Sequence, residues 1–149
     1  MDESRNAESG DDAKPMRFRV APGALYVVAT PLGNLRDLTL RAHDVLDGVD
    51  IIAAEDTRVT GVLLRHYGIT TRPLSLHEHN EQSRTETVVA RLRAGVSVAL
   101  VSDAGTPLVS DPGFRVVRAV AEAGLALVPV PGAWAAGAGL RIAGLTSER

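Results

Sequence analysis

The chain contains no cysteine. That excludes a disulfide framework, a thiolate metal site and a cysteine nucleophile, and it fits a reducing compartment. Aromatic residues make up only 3% of the 149 positions, so a core must be assembled from Val, Leu, Ile and Ala. Hydrophobic residues as a whole reach 45%, enough for one domain of this size. Lysine is nearly missing: Lys14 stands alone, and arginine supplies the other basic side chains. Arginine forks suit phosphate recognition, although an arginine-rich genome gives the same bias. A formal net charge of −2 provides no global basic field for nucleic acid. No apolar run is long enough for a membrane span, because the longest, Ala119 to Leu140, is broken by Glu122, Pro129 and Pro131. The acidic start of the chain, with Asp2, Glu3, Glu8, Asp11 and Asp12, lacks the apolar stretch of a signal peptide. The expectation is a disordered leader over residues 1–23, an α/β domain over 24–149, and a cytoplasmic protein without membrane attachment.

Short apolar runs alternate with segments of helical spacing. Ala24 to Ala29 reads as a first strand, and Leu38, Leu40, Ala42, Val45 and Leu46 follow with helical period up to Gly48. Val49 to Ala53 reads as a second strand. A helix from Asp56 or Thr57 should turn Val59, Val62, Leu63 and Leu64 inward and stop at Gly68. Pro73 to Leu76 is a short third strand, and Glu81 to Ala94 a helix with Val88, Val89 and Leu92 inward, stopped by Gly95. Val96 to Val101 is the clearest strand, suited to the centre of a sheet. Phe114 to Ala123 (helix), Leu125 to Val130 (strand) and Ala133 to Ile142 (helix) complete the pattern. Such alternation predicts an α/β fold: an open, mostly parallel five-stranded sheet with helices on both faces and right-handed crossovers.

Ligands of open parallel sheets bind beyond the carboxyl ends of the strands. Three strands end there in loops rich in Gly and Pro: Thr30 to Asn34, Ser102 to Gly113, and Pro131 to Trp134. Glycine lets backbone approach a ligand and proline fixes the turn. Three such loops on one edge favour a ligand cleft over ordinary turn chemistry. Neither the dinucleotide G-x-G-x-x-G nor the P-loop pattern occurs, so the cleft suits a ligand held by backbone groups without a phosphate cradle. Asp103 is the carboxylate best placed to touch it; capping its own turn is an equally good reading.

Two polar clusters accompany the loops. In Ala54-Glu55-Asp56-Thr57-Arg58, Glu55 and Asp56 have the chemistry of paired acid/base groups and Arg58 that of a phosphate contact. A helix start, with Asp56 as cap and Glu55 favoured by the dipole, explains the same residues. For Asp56 the cap is the better reading; Glu55 and Arg58 stay open. His77 to Glu81 contains H-x-H but no H-E-x-x-H spacing and no supporting cysteine. A solvated polar loop ranks first there, substrate contact second and a metal site last, so no metal is expected. His43 and His66 read as helix-surface residues.

These segments, in this order, resemble the ribosomal small-subunit RNA methyltransferase I family of the tetrapyrrole methylase superfamily. The matching stretches are Leu25 to Asp37, Ala54 to Arg58, His79 to Glu81, Val101 to Gly113 and Val130 to Gly132. The resemblance runs from about Ala24 to the last residue. Corrin and precorrin methylases typically carry Gly-Asp-Pro where this chain has Ser102-Asp103-Ala104. The resemblance implies transfer of the methyl group of S-adenosyl-L-methionine to the ribose 2′-hydroxyl of a cytidine in 16S rRNA. It also implies two α/β domains with the cofactor between them, a homodimer, and a C-terminal domain beyond this chain. Carried over by motif, cofactor contacts would come from Pro31, Asp103, Ala104, Gly105, Thr106, Pro131, Gly132 and Ala133. Asp56, Arg58, His79, Asn80 and Glu81 would face the RNA, with Glu55 as the catalytic proton acceptor. Trp134 departs from the family's small hydroxyl residue at that place and puts the neighbouring contacts in doubt. Rival readings are a methylase acting on a tetrapyrrole-like small molecule, and a truncated, inactive cofactor-binding module.

Overall fold

In the computed structural model, residues 17–31, 34–77, 79–103 and 111–132 are described. They form five strands: β1 (Ala24–Thr30), β2 (Ile51–Ala54), β3 (Pro73–Ser75), β4 (Val98–Asp103) and β5 (Ala126–Val130). Four α-helices connect them: α1 (Leu40–Gly48), α2 (Thr57–His66), α3 (Glu81–Arg93) and α4 (Asp111–Glu122), with a 3-10 turn at Leu35–Asp37. The strands make one sheet in the order β3-β2-β4-β1-β5, and every neighbouring pair is parallel. The expected architecture is therefore present, with a sheet that is wholly parallel among the described residues. The two edges, β3 and β5, are the strands that carry proline, Pro73 and Pro129, where a missing ladder donor costs least.

Alternation along the strands divides the core. Tyr26, Val28, Ala99 and Val101 point to one face, where Ala42, Val45 and Leu46 of α1 and Leu63 and Leu64 of α2 cover them. Leu25, Val27, Val98 and Leu100 point to the other, against Val88 and Leu92 of α3 and Val116, Val117 and Val120 of α4. All seven residues of β1 are buried, as expected of a strand covered on both sides. Right-handed crossovers dictate this split. The β1-to-β2 and β2-to-β3 connections move one way along the sheet and place α1 and α2 on one face. The β3-to-β4 and β4-to-β5 connections move the other way and place α3 and α4 opposite.

Helix limits follow local chemistry. The hydroxyl of Thr39 accepts the Ala42 amide at 3.0 Å and starts α1, two residues later than the apolar period suggested. Gly68 and Gly95, at φ 69° and 90°, take the left-handed conformation that closes α2 and α3. β2 and β4 begin two residues later than expected because Asp50 and Ser97 are tied to each other. The Ser97 amide donates to Asp50 Oδ2 at 3.0 Å, and the Asp50 amide reaches Ser97 Oγ at 3.1 Å. β4 then runs on through Ser102 to Asp103.

Two expectations need correction. Val59 and Val62 do not face the core: they are 51% and 50% exposed, while Leu63 and Leu64 are buried as expected and Thr60 joins them. The i, i+3, i+4 set that meets the sheet starts at Thr60. The leader expected over residues 1–23 also overshoots. Phe18 and Val20 pack against the first core face, and the Phe18 amide donates to Asp44 Oδ2 at 3.0 Å. The helix expected over Ala133 to Ile142 lies outside the described residues.

Candidate functional site

The crevice of an open parallel sheet opens where neighbouring strands send their connections to opposite faces. Here that point lies between β1, which leads to α1, and β4, which leads to α4 on the other side. Thr30 and Asp103, the last residues of these strands, are register partners. The Thr30 hydroxyl is buried and donates to the Ser102 carbonyl at 2.9 Å, and Ser102 Oγ lies 3.4 Å from the Val28 carbonyl. Pro31 follows directly. On the other side of β1, Val28 pairs with Val130, which brings Pro131 and Gly132 alongside Ala29 and Thr30. The approach is close: a Cβ on Gly132 would lie 3.0 Å from the Ala29 carbonyl oxygen.

Four of the eight expected cofactor contacts, Pro31, Asp103, Pro131 and Gly132, therefore sit at the adjoining carboxyl ends of β4, β1 and β5. The other four, Ala104, Gly105, Thr106 and Ala133, lie outside the described residues, as does Trp134. The described members of this site offer backbone groups at strand ends. Among the described residues no cluster of three His, Asp or Glu side chains is arranged to hold a metal ion.

The remaining candidates occupy the other half of the same edge. Ala54 pairs with Val101 on β4 and with Ser75 on β3, so Glu55 leaves the sheet beside Ser102, and His77 to Glu81 leave it beyond β2. Glu55, Asp56, Thr57 and Arg58 line an open depression of about 550 Å³. Asp56 caps α2, as the plainer of the two sequence readings had it: its Oδ1 accepts the amides of Arg58 at 3.0 Å and Val59 at 3.3 Å. Glu55 and Arg58 are exposed and have no side-chain hydrogen bond or ion pair with a described residue.

Beyond β3, Asn80 works within its own loop. Its Oδ1 accepts the His77 amide at 2.8 Å and its Nδ2 donates to the Ser75 carbonyl at 3.1 Å. His79 is exposed and its amide donates to His77 Nδ1 at 3.2 Å. Glu81, whose side chain is 17% exposed, reaches across to α4, with its Oε1 3.3 Å from the Arg115 guanidinium. Sequence reading singled out neither Arg115 nor the Thr30–Ser102 tie. Their partners are 34 and 72 residues away in the chain, and no local pattern announces them. His43 and His66 lie on helix surfaces as expected, and both meet the ring of Tyr67, at 5.5 and 4.9 Å between centroids.

One edge thus carries two sets in spatial order: His79 to Glu81 and Glu55 to Arg58 at the β3–β2 end, then Asp103, Pro31 and Pro131–Gly132 at the β4–β1–β5 end. Five strands at the usual spacing of about 4.8 Å place these sets within ~20 Å. That is close enough for a small cofactor at one end to meet a larger substrate at the other.

Comparison with known proteins places this edge in context. A family model described as tetrapyrrole (corrin/porphyrin) methylases matches residues 24–148. The chain is 58% identical over 127 residues to a protein of Escherichia coli O157:H7 named ribosomal RNA small subunit methyltransferase I, covering 85% of this chain and 44% of that protein. A Synechocystis protein of the same name is 54% identical, with 85% and 46% covered. The chain spans about half the length of these curated relatives. Among solved structures, uroporphyrin-III-C-methyltransferase from Thermus thermophilus superposes with a TM-score of 0.59 at 26% identity, over 76% of this chain and 49% of that one.

Proposed function

Starting from a chain that belongs to the tetrapyrrole (corrin/porphyrin) methylase family, we propose that it is the cofactor-binding half of an S-adenosyl-L-methionine-dependent methyltransferase. Its substrate in this reading is the ribose 2′-hydroxyl of a cytidine in the 16S rRNA of the small ribosomal subunit. The observation that carries the proposal is the division of one sheet edge into two sets of residues, in a chain more than half identical to proteins named for small-subunit rRNA methylation. A homodimer and a cytoplasmic setting belong to the same reading. Among the described residues no helix is long and apolar enough to cross a membrane.

Pro31, Asp103 and the Pro131–Gly132 turn, with Ala104, Gly105, Thr106 and Ala133, would hold the cofactor. The close packing of Gly132 on Ala29 and the Thr30–Ser102 bond make these strand ends a rigid floor, which suits a ligand gripped by backbone amides and carbonyls. When bound, S-adenosyl-L-methionine supplies an electrophilic methyl carbon on a sulfonium leaving group. Transfer of that methyl group to the ribose oxygen would leave the thioether S-adenosylhomocysteine as the other product. The protein needs to orient the hydroxyl and accept its proton. Glu55 is the proposed acceptor, since its carboxylate is exposed beside the end of β4 and engaged by no described side chain. Arg58, one turn into α2, would position a phosphate. Asp56, His79, Asn80 and Glu81 would shape the RNA side, Asn80 and Glu81 by holding the β3–α3 corner in place.

The test is transfer of tritiated methyl from S-adenosyl-L-methionine to small subunits lacking the modification, run against uroporphyrinogen III. It uses the chain alone and the chain extended by the C-terminal half of the E. coli relative. Transfer to small subunits by the extended chain, with no measurable transfer by the chain alone, is expected. Methylation of uroporphyrinogen III in preference to subunits would overturn the rRNA reading in favour of a small-molecule methylase. Absence of S-adenosylhomocysteine binding by calorimetry would overturn the cofactor.

A further inference from the structure

From Thr57 to Leu76 the sequence contains no Asp or Glu, yet it carries Arg58, Arg65, His66 and Arg72. In a chain of net charge −2 this is a marked segregation of charge, and the fold turns it into a surface. Arg58, Val62 and Arg65 stand at i, i+4 and i+7 of α2 and so share one face; all three are exposed. Arg58 and Arg65 lie about 10 Å apart along the helix axis. None of Arg58, Arg65 and Arg72 forms an ion pair with a described acidic group.

At the far end of α2 the surface becomes concave. Gly61, Arg65, Gly68, Thr70, Thr71 and Arg72, with Leu64, Ile69 and Pro73 beneath them, line a depression of about 400 Å³. A glycine inside a helix costs stability relative to alanine. A Cβ at Gly61 would lie 3.3 Å from an Arg65 terminal nitrogen, so a larger residue there would shift the exposed guanidinium by a few tenths of an ångström. The helix end that would repel an anion is closed: the carbonyls of Leu63, Leu64 and Arg65 accept the amides of Tyr67, Ile69 and Gly68. The wall of the depression is largely apolar, and Arg65, Arg72, Thr70 and Thr71 are the residues along it whose side chains carry the donors of a phosphate site.

This depression is separate from the candidate cleft. Because β3 and β2 are parallel and α2 runs antiparallel to them, Arg65 and Arg72 lie at the amino ends of the strands, whereas Glu55 and Asp103 lie at the carboxyl ends. Arg58, in the first turn, links the two regions. Val59 and Val62, half exposed and without a partner in the core, lie along the same helix surface.

We propose that the outer face of α2 and the depression bounded by Arg65 and Arg72 form a second, sequence-independent docking surface for the phosphate backbone of structured RNA, leading from the cleft around the β3 edge. It rests on the rRNA reading given above and adds to it where a substrate much larger than one nucleoside lies on the protein. Valine side chains between arginines suit such a partner, because sugars present apolar faces between the charged phosphates.

The experiment is filter binding of the full 149-residue chain to small ribosomal subunits over a series of salt concentrations. The variants are Arg65→Ala/Arg72→Ala, Arg65→Lys/Arg72→Lys, and the control Arg91→Ala/Arg93→Ala, which removes two exposed arginines from the end of α3 on the opposite face. The alanine pair at 65 and 72 should lower affinity at least tenfold and reduce the slope of log K against log salt by about 1.4–1.8, the contribution of two phosphate contacts. The lysine pair should retain most of the affinity, the control should stay within twofold, and calorimetric S-adenosylhomocysteine binding should be the same for all. An unchanged affinity and slope for the alanine pair would overturn the surface while leaving the methyltransferase reading intact. An equal loss in the control would replace the site with diffuse charge, and an equal loss in the lysine pair would show a structural role; either result overturns the proposal. If neither the natural chain nor the chain extended by the C-terminal half of the E. coli relative binds subunits while S-adenosylhomocysteine still binds, the rRNA reading itself fails.

Discussion

Thr30 donates its hydroxyl to the carbonyl of Ser102 at 2.9 Å, joining the last turns of the two strands between which the cleft opens. The bond is partly buried and adds a side-chain tie where the sheet ladder is about to end. Thr30→Val keeps the shape and removes the donor, leaving the Ser102 carbonyl short of a partner. Stability should fall by about 1 kcal/mol, seen as a Tm lowered by roughly 3–5 °C. Calorimetry should also show weaker S-adenosylhomocysteine binding. A variant that loses stability yet binds unchanged would separate this tie from the cofactor floor.

Gly132 is the second test of that floor. Ala29 is backbone at the contact, so the 3.0 Å approach a Cβ would make cannot be relieved by rotating a side chain. Gly132→Ala must move the turn after β5 away from β1. Overpacking of this kind costs about 1–3 kcal/mol, and denaturant titration should register it. Because the Pro131–Gly132 turn would line the cofactor, S-adenosylhomocysteine affinity should fall about tenfold or more, the equivalent of 1.4 kcal/mol. Equal affinity would remove this turn from the binding site.

Asp44 gives the fold an acid-sensitive tie at its amino-terminal approach. Burial acts to raise its pKa. The Phe18 amide, the His43 ring and the Arg17 guanidinium together outweigh that and hold the carboxyl below its ordinary value of 3.8. A carboxyl depressed in the folded state binds fewer protons than in the unfolded chain, so its stabilisation is complete above the ordinary value and lost as pH falls through the folded one. The stability gap between the natural chain and Asp44→Asn should therefore be widest near neutrality and shrink below about pH 4. Urea titrations at several pH values would show it, and a gap independent of pH would contradict the assigned cause.

How far the sequence could be read divides along physical lines. Continuous apolar runs such as Ala24 to Ala29 and Val98 to Val101 marked buried parallel strands, because both faces of each strand are covered and no alternation is needed. Gly68 and Gly95 marked helix ends by a conformation that other residues avoid. The inward face of α2 was legible only in part: Leu63 and Leu64 are buried as expected, but Val59 and Val62 are equally apolar and stay half exposed, and nothing local in the sequence separates the two pairs. The same blindness hid the basic face, since Arg58, Arg65 and Arg72 look scattered until the helix aligns two of them and the turn returns the third. Of the candidate site, the place of Pro31, Asp103 and Pro131–Gly132 at strand ends was legible from the strand pattern, and the cap at Asp56 from its place before Thr57. The roles of Asn80 and Glu81 were not, because Ser75, His77 and Arg115 become their partners only in the folded chain.

Glu55 and Asp56 are neighbours in sequence with opposite assignments, and substitution should pull them apart. Asp56 accepts two amides at the start of α2, so Asp56→Ala leaves both donors to water and should cost about 0.5–2 kcal/mol of stability. Any effect on methyl transfer should follow that loss and be restored by Asp56→Asn or Asp56→Ser, which cap almost as well. Glu55 has no described side-chain partner to lose, so Glu55→Gln should leave the melting temperature within about 2 °C, as is usual for a surface change of under ~0.5 kcal/mol. If its carboxylate accepts the ribose proton, removing that charge should slow transfer by about 10²- to 10⁴-fold at neutral pH, the range typical of a lost general base. Binding of S-adenosylhomocysteine and of small subunits should persist, because the group acts on the reacting hydroxyl rather than on either ligand's affinity. Measured in the extended chain, a Glu55→Gln rate within threefold of the natural one would remove this residue from proton transfer. The acceptor would then have to be sought elsewhere along the edge or in solvent.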